Sequence, residues 1–181
     1  SKACADMISQ SYSSNVHNLP VTITRFSNIF GPGQLNFSAL IPDAVRSALG
    51  YSKFIPRGDG NMMRDFLFID DVVNLYIRIA EFLSKDPKKI SGEIFNSGTN
   101  SPKTVKQVLE IIFTAVGNTE EYNLILKEMD DKKTIGEIDC QFMDYKKVNK
   151  YFDWEPKHDI DSGIDKTINW YKKYFKYVNY K

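Results

Sequence analysis

Short runs of β-branched and aromatic residues alternate with stretches of helical period along this chain, and that alternation leaves few folds open. The first run, Val21-Thr22-Ile23-Thr24-Arg25-Phe26, follows Pro20 and reads as a buried strand. It passes into Ser27-Asn28-Ile29-Phe30-Gly31-Pro32-Gly33, whose polar groups and glycines predict a loop. In an open α/β sheet, ligands sit at the carboxyl ends of strands, so this loop is the first candidate site.

The rest of the chain keeps the same rhythm. A short helix over 40–49 is closed by Gly50, residues 54–56 are extended, and a glycine turn at Gly58-Asp59-Gly60 leads to a strand over 65–69. Asp70 is expected to cap a helix with Val73, Tyr76, Ile77, Ala80 and Leu83 on its buried face. A strand over 93–96 precedes Thr104-Val105-Lys106-Gln107, a capping box for a helix ending at Gly117. Residues 118–136 read as a solvated, lysine-rich and acidic stretch, and 138–143 as a strand. Two helices follow, capped by Asp144 and by Asp161, and the aromatic tail Tyr174-Phe175-Lys176-Tyr177 is expected to pack. The fold class is α/β.

The chain's opening is different. Ser1-Lys2-Ala3-Cys4-Ala5-Asp6-Met7-Ile8 reads as a helix interior, with Ala5, Ile8 and Tyr12 in helical spacing to about Val16 and no capping signal before it. The expectation is a cut through a larger domain.

Composition narrows the function classes. A net charge of +1 gives no electrostatic case for nucleic acid. No apolar run approaches the roughly 18 residues of a membrane span. Cys4 and Cys140 are far apart without metal-ligand spacing, which suits reduced thiols in a cytoplasmic protein, and the isolated His17 and His158 argue against a zinc site or a serine triad. No metal is expected. Arginine is sparse: Arg25, Arg46, Arg57, Arg64 and Arg78 stand among 24 basic residues, so each marks a place where a planar, bidentate donor is of use. Arg64, delivered to a strand head by the glycine turn, is placed to clamp a diphosphate.

Taken in order, Ser1-Lys2-Ala3, Arg25-Phe26-Ser27-Asn28-Ile29-Phe30-Gly31-Pro32, Arg64-Asp65-Phe66, Phe95-Asn96 and Trp154-Glu155-Pro156 resemble the extended short-chain dehydrogenases/reductases that act on nucleotide sugars. Leu35-Asn36-Phe37-Ser38 and Gly136-Glu137-Ile138 with Gln141 are most similar to the CDP-glucose 4,6-dehydratase branch. The resemblance implies the C-terminal part of a Rossmann-like enzyme plus its smaller α/β substrate-binding domain. Residues 1–34 would be a remnant of the NAD-binding domain and 35–181 mainly the sugar-nucleotide domain, with 65–98 returning to the Rossmann-like sheet.

Roles follow from the same resemblance. Lys2 would be the lysine of a Tyr-x-x-x-Lys pair, holding the nicotinamide ribose of NAD and lowering the tyrosine pKa. Ser27 would lie beside the nicotinamide and Asn28 would reach the substrate diphosphate. Asn36 and Leu40 would line the sugar-nucleotide pocket, Arg57 would flank base or ribose, Arg64 would neutralise diphosphate charge, and Gln141 would contact the nucleotide. Trp154 is expected to pack. The helix over 3–16 would form a homodimer, with burial against the chain's own core as the alternative.

Two departures stand out. The sequence holds no Gly-x-x-Gly-x-x-Gly loop, and Phe152-Asp153-Trp154 replaces the usual Leu-Gly-Trp, putting Asp where φ > 0 is expected. The implied activity of the parent is 4,6-dehydration, with C4 epimerisation or a non-catalytic binding or dimerisation module as alternatives. The 181 residues alone are expected to be inactive.

Overall fold

In the computed structural model, residues 1–13, 17, 19–132 and 136–178 are described. Helix α1 (Lys2–Tyr12) precedes strands β1 (Ile23–Phe26) and β2 (Asn28–Phe30), followed by α2 (Leu40–Ala48), β3 (Met63–Arg64), β4 (Phe66–Phe68) and α3 (Ile69–Lys85). After a 3-10 turn at Pro87–Lys89 come β5 (Ile94–Ser97), β6 (Lys103–Thr104), α4 (Val105–Val116), α5 (Thr119–Asp130), β7 (Cys140–Gln141), α6 (Lys146–Phe152) and α7 (Ile160–Tyr177).

The strands form three small sheets. Strand β1 pairs in parallel with β5, β2 in parallel with β4, and β3 lies between antiparallel β6 and parallel β7. Parallel pairs need long crossovers, and here helices supply them. Strand β1 is flanked by helices on two sides: Arg25 forms an ion pair with Asp6 of α1, and Thr24 Oγ1 shares a 3.1 Å hydrogen bond with Tyr76 Oη of α3.

Two cores hold these elements. The larger joins β2 and β4 to α2, α4, α5 and α7 through Phe30, Val45, Phe68, Ile112, Ile125, Ile168 and Phe175. The smaller joins α3, β5 and α6 through Leu75, Ile79, Phe95, Val148 and Trp154. The Trp154 indole N–H donates to the Asp71 carbonyl at 3.2 Å, so this residue packs as the sequence suggests. Among the described residues no helix is long and apolar enough to cross a membrane, and no cluster of His, Cys, Asp or Glu is placed to hold a metal.

Several expectations held locally. The Thr104 capping box is present in full, and Gly117 ends α4 at φ 82°. Asp153 takes φ 47°, the left-handed conformation its substitution for glycine implied.

Others are corrected. Residues 28–30 are strand rather than loop, because Asn28, Ile29 and Phe30 find a parallel partner in β4. Asp70 lies inside α3, whose cap position is Phe68, and the helix is rotated from the expected face. It buries Val72, Leu75 and Ile79, while Val73, Tyr76 and Ile77 are exposed. Residues 119–130 are helical: Ile125 and Met129, four apart, bury one face beneath the charges that obscured it. The expected strand over 138–143 shrinks to two residues, and residues 133–135 lie outside the described residues. The last helix is capped by Asp159, which accepts from the Ser162 amide at 2.8 Å, rather than by Asp161. Asp144 accepts from the Lys146 amide although Tyr145 holds the cap position of α6.

Helix α1 ends at Tyr12, and the expected continuation to Val16 lies outside the described residues. None of its residues is buried, and Met7, Ile8 and Tyr12 are exposed, so burial of this face against the chain's own core is excluded.

Candidate functional site

Ser27 is the residue at which the chain leaves one parallel pair for the other. Its amide donates to the Ser97 carbonyl at the end of β5, and the next amide, of Asn28, donates to the Asp65 carbonyl beside β4. A cleft of about 1320 Å³ opens at this crossing, larger than the roughly 300–1,000 Å³ of an ordinary small-molecule pocket.

Seven of the eight residues singled out from sequence line it: Lys2, Ser27, Asn28, Leu40, Arg57, Arg64 and Gln141. Residues from opposite ends of the chain meet here for definable reasons. Arg64 and Gln141 are register partners in the parallel pairing of β3 with β7. Leu40 arrives on the first turn of α2, and Lys2 on the first turn of α1. Asn36 stands apart from the lining; its Oδ1 accepts from the Ser38 amide at 3.1 Å and shapes the turn before α2.

The polar inventory is uneven. Ser27 Oγ and Asp6 Oδ1 are buried in the cleft wall without a hydrogen-bond partner, a costly state unless a ligand group or water completes it. Asn28 Nδ2 donates to the Asp65 carbonyl at 3.2 Å, which leaves its second N–H. The Arg64 guanidinium is more committed. Nη1 donates to the carbonyls of Met63 at 2.9 Å and Ile138 at 2.7 Å, and Nη2 lies 3.3 Å from the Glu137 carboxylate. Apolar walls come from Phe54, Phe66, Val105 and Met129. The arrangement sets the Arg64 guanidinium, paired with Glu137, in the same cleft as a hydrophobic wall and an orphaned hydroxyl at the strand ends.

Two supporting residues had no role assigned from sequence. Asp65 is fully buried and accepts from the Thr99 amide at 2.9 Å, the Thr99 hydroxyl and the Met143 amide at 3.3 Å. Its own amide donates to the Gln141 carbonyl, so one residue ties together the segments bearing Asn28, Arg64 and Gln141. The available signal was a carboxylate at the head of the apolar strand Phe66-Leu67-Phe68, which must find donors from elsewhere. Tyr171 donates its hydroxyl to the Gln34 carbonyl, fixing the loop before α2, and burial pushes its pKa up to about 12. Nothing local in the sequence marks that contact.

Comparison with known proteins places this geometry among relatives. A family model described as GDP-mannose 4,6 dehydratase matches residues 1–167. The dTDP-D-glucose 4,6-dehydratase of Bos taurus is 32% identical over 180 residues, covering 97% of this chain and 47% of the relative. The UDP-glucuronate 4-epimerase of Thermodesulfobacterium geofontis is 27% identical, covering 95% of this chain and 49% of the relative. Among solved structures, dTDP-glucose 4,6-dehydratase from Bacillus anthracis in complex with NAD superposes with a TM-score of 0.77 at 33% identity, over 97% of this chain and 52% of that one. The chain thus spans about half the length of the relatives it matches.

Proposed function

The chain belongs to the GDP-mannose 4,6-dehydratase family of extended short-chain dehydrogenases/reductases, and from that premise we propose that it forms the C-terminal portion of an NAD-dependent nucleotide-sugar 4,6-dehydratase. The observation that carries the proposal is the convergence of Lys2, Ser27, Asn28, Arg64 and Gln141 on one cleft.

The residues present fit one end of NAD. The unpartnered Ser27 Oγ and the exposed Lys2 ammonium suit the nicotinamide and its ribose, while the dinucleotide phosphates would be held by residues outside this sequence. Bound there, NAD supplies an acceptor, and later a donor, of hydride to the sugar. Lys2 would hold the ribose hydroxyls and lower the pKa of a tyrosine four positions before it, so that the phenolate takes the sugar's hydroxyl proton. Asn28 would offer its free N–H to a phosphate oxygen, and Arg64 would offset the diphosphate charge. Arg57 and Gln141 would face the nucleotide, and Leu40 the apolar side of the pocket, with Asn36 acting through the turn that positions it. Residues 1–34 and the returning segment 65–98 would belong to the NAD-binding domain, a division supported by the β1–β5 pairing.

The segments 35–38 and 136–141 support CDP-glucose as substrate, whereas the named relatives support dTDP- and UDP-sugars. An epimerase relative at nearly the same identity keeps C4 epimerisation as the second reading. The exposed Met7, Ile8 and Tyr12 support a homodimer through the helix of residues 3–16, of which 14–16 lie outside the described residues.

The deciding experiment restores the preceding half, as found in the relatives, and offers NAD with CDP-, dTDP- or UDP-glucose. A 4-keto-6-deoxy product from one of them, made by a dimer in light scattering, is the expected result. The 181 residues alone are expected to give no turnover. Formation of only the C4 epimer would reject dehydration, and a product made from dTDP-glucose but not CDP-glucose would reject the narrower substrate assignment.

A further inference from the structure

Arg64 is not waiting empty for a phosphate. The Arg64 side chain is 18% exposed, and its Nη2 lies 3.3 Å from Glu137 Oε2, whose side chain is 53% exposed. Both residues line the cleft. Nη1 is fixed independently by the backbone carbonyls of Met63 and Ile138, and Nη2 also faces the Met62 sulfur at 3.6 Å. The guanidinium plane is therefore held whether or not Glu137 stays. Glu137 is the more exposed partner and sits outside any helix or strand, so it is the member free to leave.

Resting on the reading of Arg64 as the diphosphate contact, we infer that Glu137 is an internal counterion that occupies the phosphate's place on Arg64, and that its displacement makes the cleft select diphosphates over monophosphates. The physical basis is a competition between anions. A half-exposed carboxylate pair is weak, and a group carrying more charge and paired oxygens outbids it. A monophosphate brings less charge and fewer contacts, and gains little once the carboxylate has been moved. Glu137 thereby also keeps the Arg64 charge partnered when no ligand is bound, which limits capture of stray monoanions.

The test is calorimetric titration of the 181-residue chain with diphosphate and monophosphate pairs: UDP and UMP, dTDP and dTMP, CDP and CMP. Wild-type protein is expected to bind the diphosphate of at least one pair more tightly than its monophosphate. Glu137→Gln is expected to tighten both by about two- to fivefold, with the monophosphate gaining more. Arg64→Met is expected to weaken the diphosphate and to make Glu137→Gln silent in the double variant, and Arg64→Lys supplies the same comparison should the Met variant misfold. If Arg64 substitution weakens binding while Glu137→Gln leaves it unchanged or poorer, the counterion role is wrong and the reading of Arg64 stands. If Arg64 substitution has no effect, or if neither wild type nor Glu137→Gln binds any of the six nucleotides, the reading of Arg64 falls and the inference with it.

Discussion

Asp65 shows how one side chain organises a site without lining it. Its carboxylate is fully buried, yet three donors from two distant segments converge on it, and Gly98 lies so close that an added Cβ would overlap Asp65 Oδ2. Without the carboxylate, the Thr99 and Met143 amides, both on partly buried residues, lose their acceptor. Asp65→Ala is therefore expected to cost about 2–4 kcal/mol, read from urea unfolding. A variant within about 0.5 kcal/mol of wild type would mean that these donors find other partners. Asp153 illustrates the opposite case, where the sequence was enough. Its left-handed conformation is a local property of a helix C-terminus, and the replacement of an expected glycine announced it.

At the scale of elements, what decided each outcome was whether the signal was local. The α4 capping box and its glycine stop are complete within a few residues, and both formed. The face of α3 was misread because Val73, Tyr76 and Ile77 compete with Val72, Leu75 and Ile79 for the same helical period, and only the position of β5 and α6 chooses between them. Helix α7 has a similar dependence. Gly163 lies where α7 crosses β2 and β4, and a Cβ there would meet Phe30 Cζ at 2.7 Å and Phe68 Cδ2 at 2.9 Å. In an isolated helix Gly→Ala is favourable, but here the overlap with two buried rings outweighs propensity. Gly163→Ala is expected to destabilise by about 1–2 kcal/mol in thermal or urea melts, and a stabilised variant would show that the crossing is looser than the contact distances imply.

For the whole molecule, alkaline stability tests the tie between the last helix and the site. Burial raises the Tyr171 pKa from 10.0 to about 12, with a smaller push from Tyr174, so the folded state favours the neutral phenol. The contribution is fully present below pH 10 and is lost as pH rises through about 12. Unfolding free energy measured between pH 9 and pH 12 is expected to fall less steeply in Tyr171→Phe than in wild type. Equal slopes would remove Tyr171 as a source of the alkaline loss. The variant should also be less stable at neutral pH, because the Gln34 carbonyl loses its donor.

The sequence by itself determined the α/β class, most element positions, the caps of α4 and the family resemblance, because each rests on residue spacing within a short window. It also marked seven residues that the structure gathers into one cleft. Tertiary structure alone decided which face of α3 is buried, that residues 28–30 join a sheet, and that Arg64 is paired with Glu137 while the Ile138 carbonyl helps to hold it. Each of these depends on groups tens of residues apart arriving together. Burial and hydrogen bonding across such distances are set by how the two cores pack, which no local pattern records.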